Sequence, residues 1–187
     1  MGQYYRPIIG DKNGQNCKVV DTFKYDFVKL MEHSWWNNDF TNDVSVQIYN
    51  KQRRICWTGD YANEPDDFKF AINTALYTPV YEEVWGRNIK FLPLISTNFT
   101  LDNKYFVNYD TMQYLDLNEY KTSSETKWGI VHPLPLLTAV GNDRGGGDFH
   151  KGNTGYEFVG IWAWNLISIT DKPPKNFEKN HIIFKED

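Results

Sequence analysis

The chain has 187 residues, enough for one domain with a sizeable core that needs neither disulfides nor metals. Its net charge of −4 argues against bulk nucleic-acid binding, which wants a basic balance, and leaves only a local basic groove open. No apolar stretch approaches a membrane span and the start lacks a basic-then-apolar signal pattern, so no membrane is expected and the expected home is the cytoplasm.

In chain order, Tyr4-Tyr5 opens a strand-like stretch that turns at Asp11-Lys12-Asn13-Gly14 into Cys17-Lys18-Val19-Val20, which predicts a β-hairpin. A histidine-bearing segment, Leu30-Met31-Glu32-His33-Ser34-Trp35, follows. Phe40, Val44 and Ile48 then recur at helical spacing behind several N-cap candidates, which predicts a helix to about Tyr49. Residues 54–60 read as a strand. Acids at 64–67 can cap a helix over 68–77, residues 80–85 read as a helical turn, and 89–95 as an edge strand because of Pro93. Tyr105-Phe106-Val107-Asn108-Tyr109 and Gln113-Tyr114-Leu115-Asp116 predict a second hairpin. Gly129-Ile130-Val131-His132-Pro133-Leu134 comes next, and helix is expected over 136–140, with Gly141-Asn142 as its stop. Residues 166–171 close as a strand. In the polar tail, His181-Ile182-Ile183-Phe184 is either a last strand or a docking segment.

The two halves rhyme at an offset of about 100 residues, hairpin for hairpin, with His33 matching His132. This predicts a single domain, 1–187, built by internal duplication of 3–62 and 104–172, with a partly helical insertion at 63–103 and a tail at 173–187. The fold expected is α+β: a mainly antiparallel sheet from two related hairpin-plus-strand halves in pseudo-two-fold arrangement, with two or three short helices.

The densest chemistry lies in Gly141-Asn142-Asp143-Arg144-Gly145-Gly146-Gly147-Asp148-Phe149-His150. Three glycines in a row lose much backbone freedom on folding, so an ordered run of them meets a steric demand. On one reading, Arg144, Gly145, Gly146, Gly147 and Asp148 form an anion-binding nest with Arg144 as a bidentate clamp. On the other, they are a rigid surface turn in which Arg144 pairs with Asp143 or Asp148. The spacing matches neither a P-loop nor a dinucleotide fingerprint. Asn142, Asp143 and Asp148 offer oxygens but not the usual calcium pattern, and Asp148 with His150 supplies only two zinc ligands, so no metal and no cofactor is expected.

Two imidazoles near a guanidinium suit metal-independent phosphodiester cleavage, which makes His132, His150 and Arg144 the catalytic candidates if the chain is an enzyme. His33 and His132 equally suit hydrogen bonding inside the fold. Asp60 follows a strand end, a common address for site residues and also for a Gly-Asp turn. Cys17 and Cys56 sit in apolar strand patterns and read as free thiols. Aromatics make up 17% of the chain, more than a core of this size needs. Trp35, Trp36, Trp162 and Trp164 either line that core or, exposed, anchor a partner.

The start Met1-Gly2-Gln3-Tyr4-Tyr5, the segment 29–35, the run Trp57-Thr58-Gly59-Asp60-Tyr61-Ala62 and the glycine loop with the Trp-containing stretch after it together resemble a group of uncharacterised bacterial, phage and protist proteins. That resemblance implies a small cytoplasmic protein and a purposeful loop, and it carries over no catalytic residue. The leading expectation is a binding protein that holds a small anionic ligand or a partner protein through the glycine loop and nearby aromatics. A phage-borne anti-defence inhibitor is one such role. The alternative is a nucleotide- or phosphodiester-processing enzyme.

Overall fold

The computed structural model describes residues 3–26, 28–60, 90–141 and 149–186. Its elements run β1 (Tyr5–Gly10), β2 (Lys18–Val19), a 3-10 turn (Thr22–Tyr25), α1 (Leu30–His33), α2 (Asp39–Val46) and β3 (Arg53–Gly59). Then come β4 (Tyr105–Asn108), β5 (Gln113–Asp116), α3 (Leu117–Ser123), β6 (Glu125–Thr126), β7 (Gly129–Ile130), α4 (Pro133–Thr138) and β8 (Ala139–Val140). A second 3-10 turn (Tyr156–Phe158), β9 (Leu166–Thr170) and β10 (Glu178–Asn180) complete the described residues.

The fold is α+β. The sheet order is β10-β5-β4-β9-β3-β1-β2, with β8 beside β3 and with β6–β7 as a separate ribbon. Pairing is antiparallel except at β10 with β5 and β3 with β8. Strands β3 and β9 meet antiparallel at Arg53 with Ile167 and Arg54 with Leu166. From that seam the order runs outward as β1 then β2 on one side and β4 then β5 on the other.

Strand alternation decides what each face buries. Tyr5, Ile9, Ile55, Trp57, Phe106, Leu115, Ile167 and Ile169 point to one face and join the core. Helices α1, α2 and α4 cover that face with Leu30, Met31, Phe40, Val44, Leu134, Leu136 and Leu137. The local chemistry explains these helices. Asn38 Oδ1 accepts the Thr41 N–H at 3.1 Å and caps α2. His132 Nδ1 accepts the Leu134 N–H at 3.2 Å and caps α4, whose first residue is Pro133.

Four sequence expectations shift. The helix expected over 136–140 runs instead over Pro133–Thr138, set early by Pro133 at its first position, and Ala139–Val140 is strand β8. The predicted strand at 89–95 is, where described, a single bridge from Phe91 to Val19, since Pro93 has no N–H to continue a ladder. The helix α3 was not expected. It starts because the Asp116 side chain accepts the Asn118 and Glu119 N–H groups. In the tail the strand is β10, while Ile182 and Phe184 dock into the core, as the docking reading has it. The helices expected over 68–77 and 80–85 lie outside the described residues.

Candidate functional site

The glycine-loop candidates Arg144, Gly145, Gly146, Gly147 and Asp148 lie outside the described residues. The positions on either side of them are firmly packed. A Cβ on Gly141 would collide with Gln3 Oε1 and Tyr5 Oη, and one on Gly59 would collide with Gln3 Oε1. A larger residue at either position would have to displace the Gln3 or Tyr5 side chain. Phe149, on the other side, is buried edge-on against Phe184 at 5.7 Å.

The histidine candidates divide by environment. His132 is fully buried. Its Nδ1 is engaged by the helix cap, so its proton sits on Nε2, 3.5 Å from Ser45 Oγ. His33 is buried too, and its Nε2 accepts the Trp57 indole N–H at 2.8 Å. Burial pushes the imidazole of His33 down to about 3. Burial, with the neighbouring His33 charge second, pushes His132 down to about 3 as well. Both rings are therefore neutral near pH 7, closed to solvent and built into the core. His150 differs: it is exposed, with Nδ1 3.1 Å from Asn153 Nδ2.

The tryptophan candidates mostly line the core. Trp36, Trp162 and Trp164 are buried, which removes them as surface anchors. Trp36 stacks on Tyr120 at 6.1 Å. Trp164 adopts a left-handed backbone, φ 60°, that presses its ring toward Gly10. Trp35 is half-buried beneath Gly129. Asp60 prolongs the β1–β3 ladder past Gly59: its N–H donates to the Tyr4 carbonyl, and its carboxylate accepts the Tyr4 N–H at 3.0 Å. Cys56 is buried and its thiol is pushed up to about 12, while Cys17 is half-buried and donates to the Gly14 carbonyl.

Two surface features were not singled out from the sequence. The first is an aromatic patch. Tyr4 meets Phe23 edge-on at 5.5 Å, and the Arg6 guanidinium lies 5.1 Å from the Phe23 ring and 5.7 Å from Phe91. Arg6 is held there by Asp21 at 3.2 Å. Tyr4, Phe23 and Phe91 are 38%, 43% and 49% exposed. The second is a cleft of about 260 Å³ where β1 and β3 reach the sheet's rim, lined by Asp11, Asn16, Lys18, Gln47, Arg53 and Leu92 among others. The sequence holds a signal for it. Arg53 shares the strand parity of Ile55 and Trp57, so a cation stands at the rim of the core-facing side. Among the described residues, no group of three or more His, Cys, Asp and Glu side chains is placed to hold a metal ion.

Comparison of the chain with protein-family models, with curated proteins and with solved structures finds no match. The functional reading therefore rests on this geometry alone. No helix among the described residues is long and apolar enough to cross a membrane.

Proposed function

We propose that the chain is a non-enzymatic binding protein that takes a partner protein on the Tyr4–Phe23–Phe91 face. One observation carries this reading. Three large aromatic side chains stand well exposed in one contiguous cluster, organised around a guanidinium that is itself fixed by an ion pair. Aromatic residues and arginine are the side chains enriched at interface centres, where rigid rings give large contact at low entropic cost. The closed state of His33, His132 and Cys56 supports binding over acid–base or thiol chemistry at those positions.

The scaffold behind the patch reads as two copies of one unit. Support for this is the order outward from the seam, β3-β1-β2 on one side and β9-β4-β5 on the other. The reciprocal crossings add to it: Ala139 follows α4 and pairs parallel with Trp57, and Tyr49 follows α2 and bridges parallel to Ile169.

The test places a photo-crosslinking amino acid at Phe23 and, as a control, at the exposed Met112 on another loop. The expected result is one protein crosslinked from Phe23, absent from Met112, and lost when Phe91→Ser is added without change in melting temperature. Equal capture from both positions, or capture indifferent to Phe91→Ser, overturns the reading.

A further inference from the structure

We infer that the cleft between the β1–β2 hairpin, the start of β3 and the residue after α2 is a binding site for a small oxyanion. The inference stands apart from the aromatic patch and does not need a protein partner.

The hydrogen-bonding groups of the cleft divide into one engaged acceptor and several unengaged donors among the described residues. Its one carboxylate among the described residues, Asp11, is heavily engaged. Oδ1 accepts the Asn13 and Gln15 N–H groups, each at 2.9 Å, and Oδ2 accepts the Asn16 amide at 2.8 Å. Those bonds, led by the Gln15 N–H, hold the Asp11 carboxyl below its ordinary value with a smaller contribution from the Arg53 charge, so it stays ionised as the brace of its own turn. Among the described residues the donors on the other walls are not hydrogen-bonded, and Arg53 meets Asp11 only through the longer-range attraction of its charge. Among the described residues, neither Lys18 nor Arg53 makes a side-chain hydrogen bond or an ion pair within 4 Å, and the Gln47 amide has no partner. Among the described residues the cleft therefore offers a ligand a guanidinium, an ammonium and an amide, two positive charges against the one negative charge of a carboxylate whose oxygens are occupied.

The strand register puts these groups together. Ile9 pairs with Lys18 and with Ile55, so Lys18 and Arg53 project on the same side of the sheet. Arg53 is half-buried, which lowers the dielectric around its charge and raises its attraction for an anion. The planar fork of arginine matches the two oxygens of a carboxylate or phosphate. Ile9 and Leu92 supply an apolar side wall. A space of about 260 Å³ suits a small molecule and lies below the usual range for drug-sized ligands. The ligand class is a carboxylate or phosphate monoester on a small body with an apolar edge.

The test is isothermal titration of the full chain with inorganic phosphate, glycerol 3-phosphate, succinate and citrate, at ionic strength fixed with sodium chloride. Glycerol serves as the neutral counterpart. The expected result is saturable binding of at least one anion. Arg53→Gln and Lys18→Gln should each weaken it at least tenfold, and Lys127→Gln on the distant β6–β7 ribbon should leave it unchanged. Preference for the phosphate or the carboxylate arm decides between the two headgroups. No saturable binding of any of the four, equal affinity in Arg53→Gln, or glycerol binding as tightly as glycerol 3-phosphate overturns the inference.

Discussion

The interior around His33 and His132 and the cleft around Lys18 and Arg53 are both concentrations of polar side chains, and they are opposite in kind. In the interior, most donors and acceptors meet protein. Trp57 serves His33, Leu134 serves His132, and Thr41 and Ser45 donate to the His33 and Thr41 carbonyls. In the cleft, among the described residues, the acceptor is occupied and the donors are not. Two neighbours in sequence show the same contrast. Arg54 lies on the opposite face from Arg53 and donates to Asp110 and to the Trp164 carbonyl, both at 2.9 Å. Polarity alone therefore does not mark a site; unused hydrogen-bonding capacity at an accessible surface does.

The largest expected effect breaks the interior. His33 and His132 have folded values below the ordinary histidine value of 6.5, so the unfolded chain binds protons that the folded chain refuses. Stability should fall as pH drops from about 6.5 toward 3, by about 1.4 kcal/mol per histidine for each pH unit. Urea unfolding at pH 7, 6 and 5 checks this. His132→Asn keeps an N-cap acceptor and should roughly halve the slope. A slope unchanged in that variant would show that other groups carry the acid sensitivity.

A smaller loss is expected at the Arg54 network. Asp110→Ala strips Arg54 of its ion pair and the Leu166 N–H of its acceptor. The pair is about a quarter exposed, so solvent screens part of its charge, and the cost should be about 2 kcal/mol. An unchanged urea midpoint would show that the network adds nothing to stability. The smallest effect sharpens the comparison. Arg53→Gln should leave stability within about 0.5 kcal/mol, because its guanidinium bonds to no protein group among the described residues. A loss as large as that of Asp110→Ala would place Arg53 with the structural residues.

Local signals were legible and tertiary ones were not. Both hairpins follow from alternation, and α2 from Phe40 and Val44 behind Asn38. Ile48, at the next helical spacing, still reaches the core, although it lies beyond the last helical turn. Helix α3 escaped because it buries only Leu117 and Tyr120, too few to show a period, and its sign is the cap at Asp116. The role of His132 was written in the Pro133 beside it, since proline favours the first helical position and makes its predecessor the cap. The burial of Trp36, Trp162 and Trp164 was one of two open readings, because an aromatic pair in a sequence does not say which side is wet. The cleft joins β1, β2, β3 and the end of α2, and no window of the sequence contains all four.

The two rims of the sheet carry a consequence for life at high concentration. On one side the last strand is the three-residue β10, laid parallel along β5. On the other it is the two-residue β2, whose outer side is taken by Lys90 and Leu92 through bonds of 2.9 and 2.7 Å at Val19. Fibrils and runaway stacking need a long bare ladder of N–H and C=O groups on which a second chain can extend. Among the described residues, rims this short, with one already occupied, give such growth almost nothing to copy, even beside exposed aromatic rings.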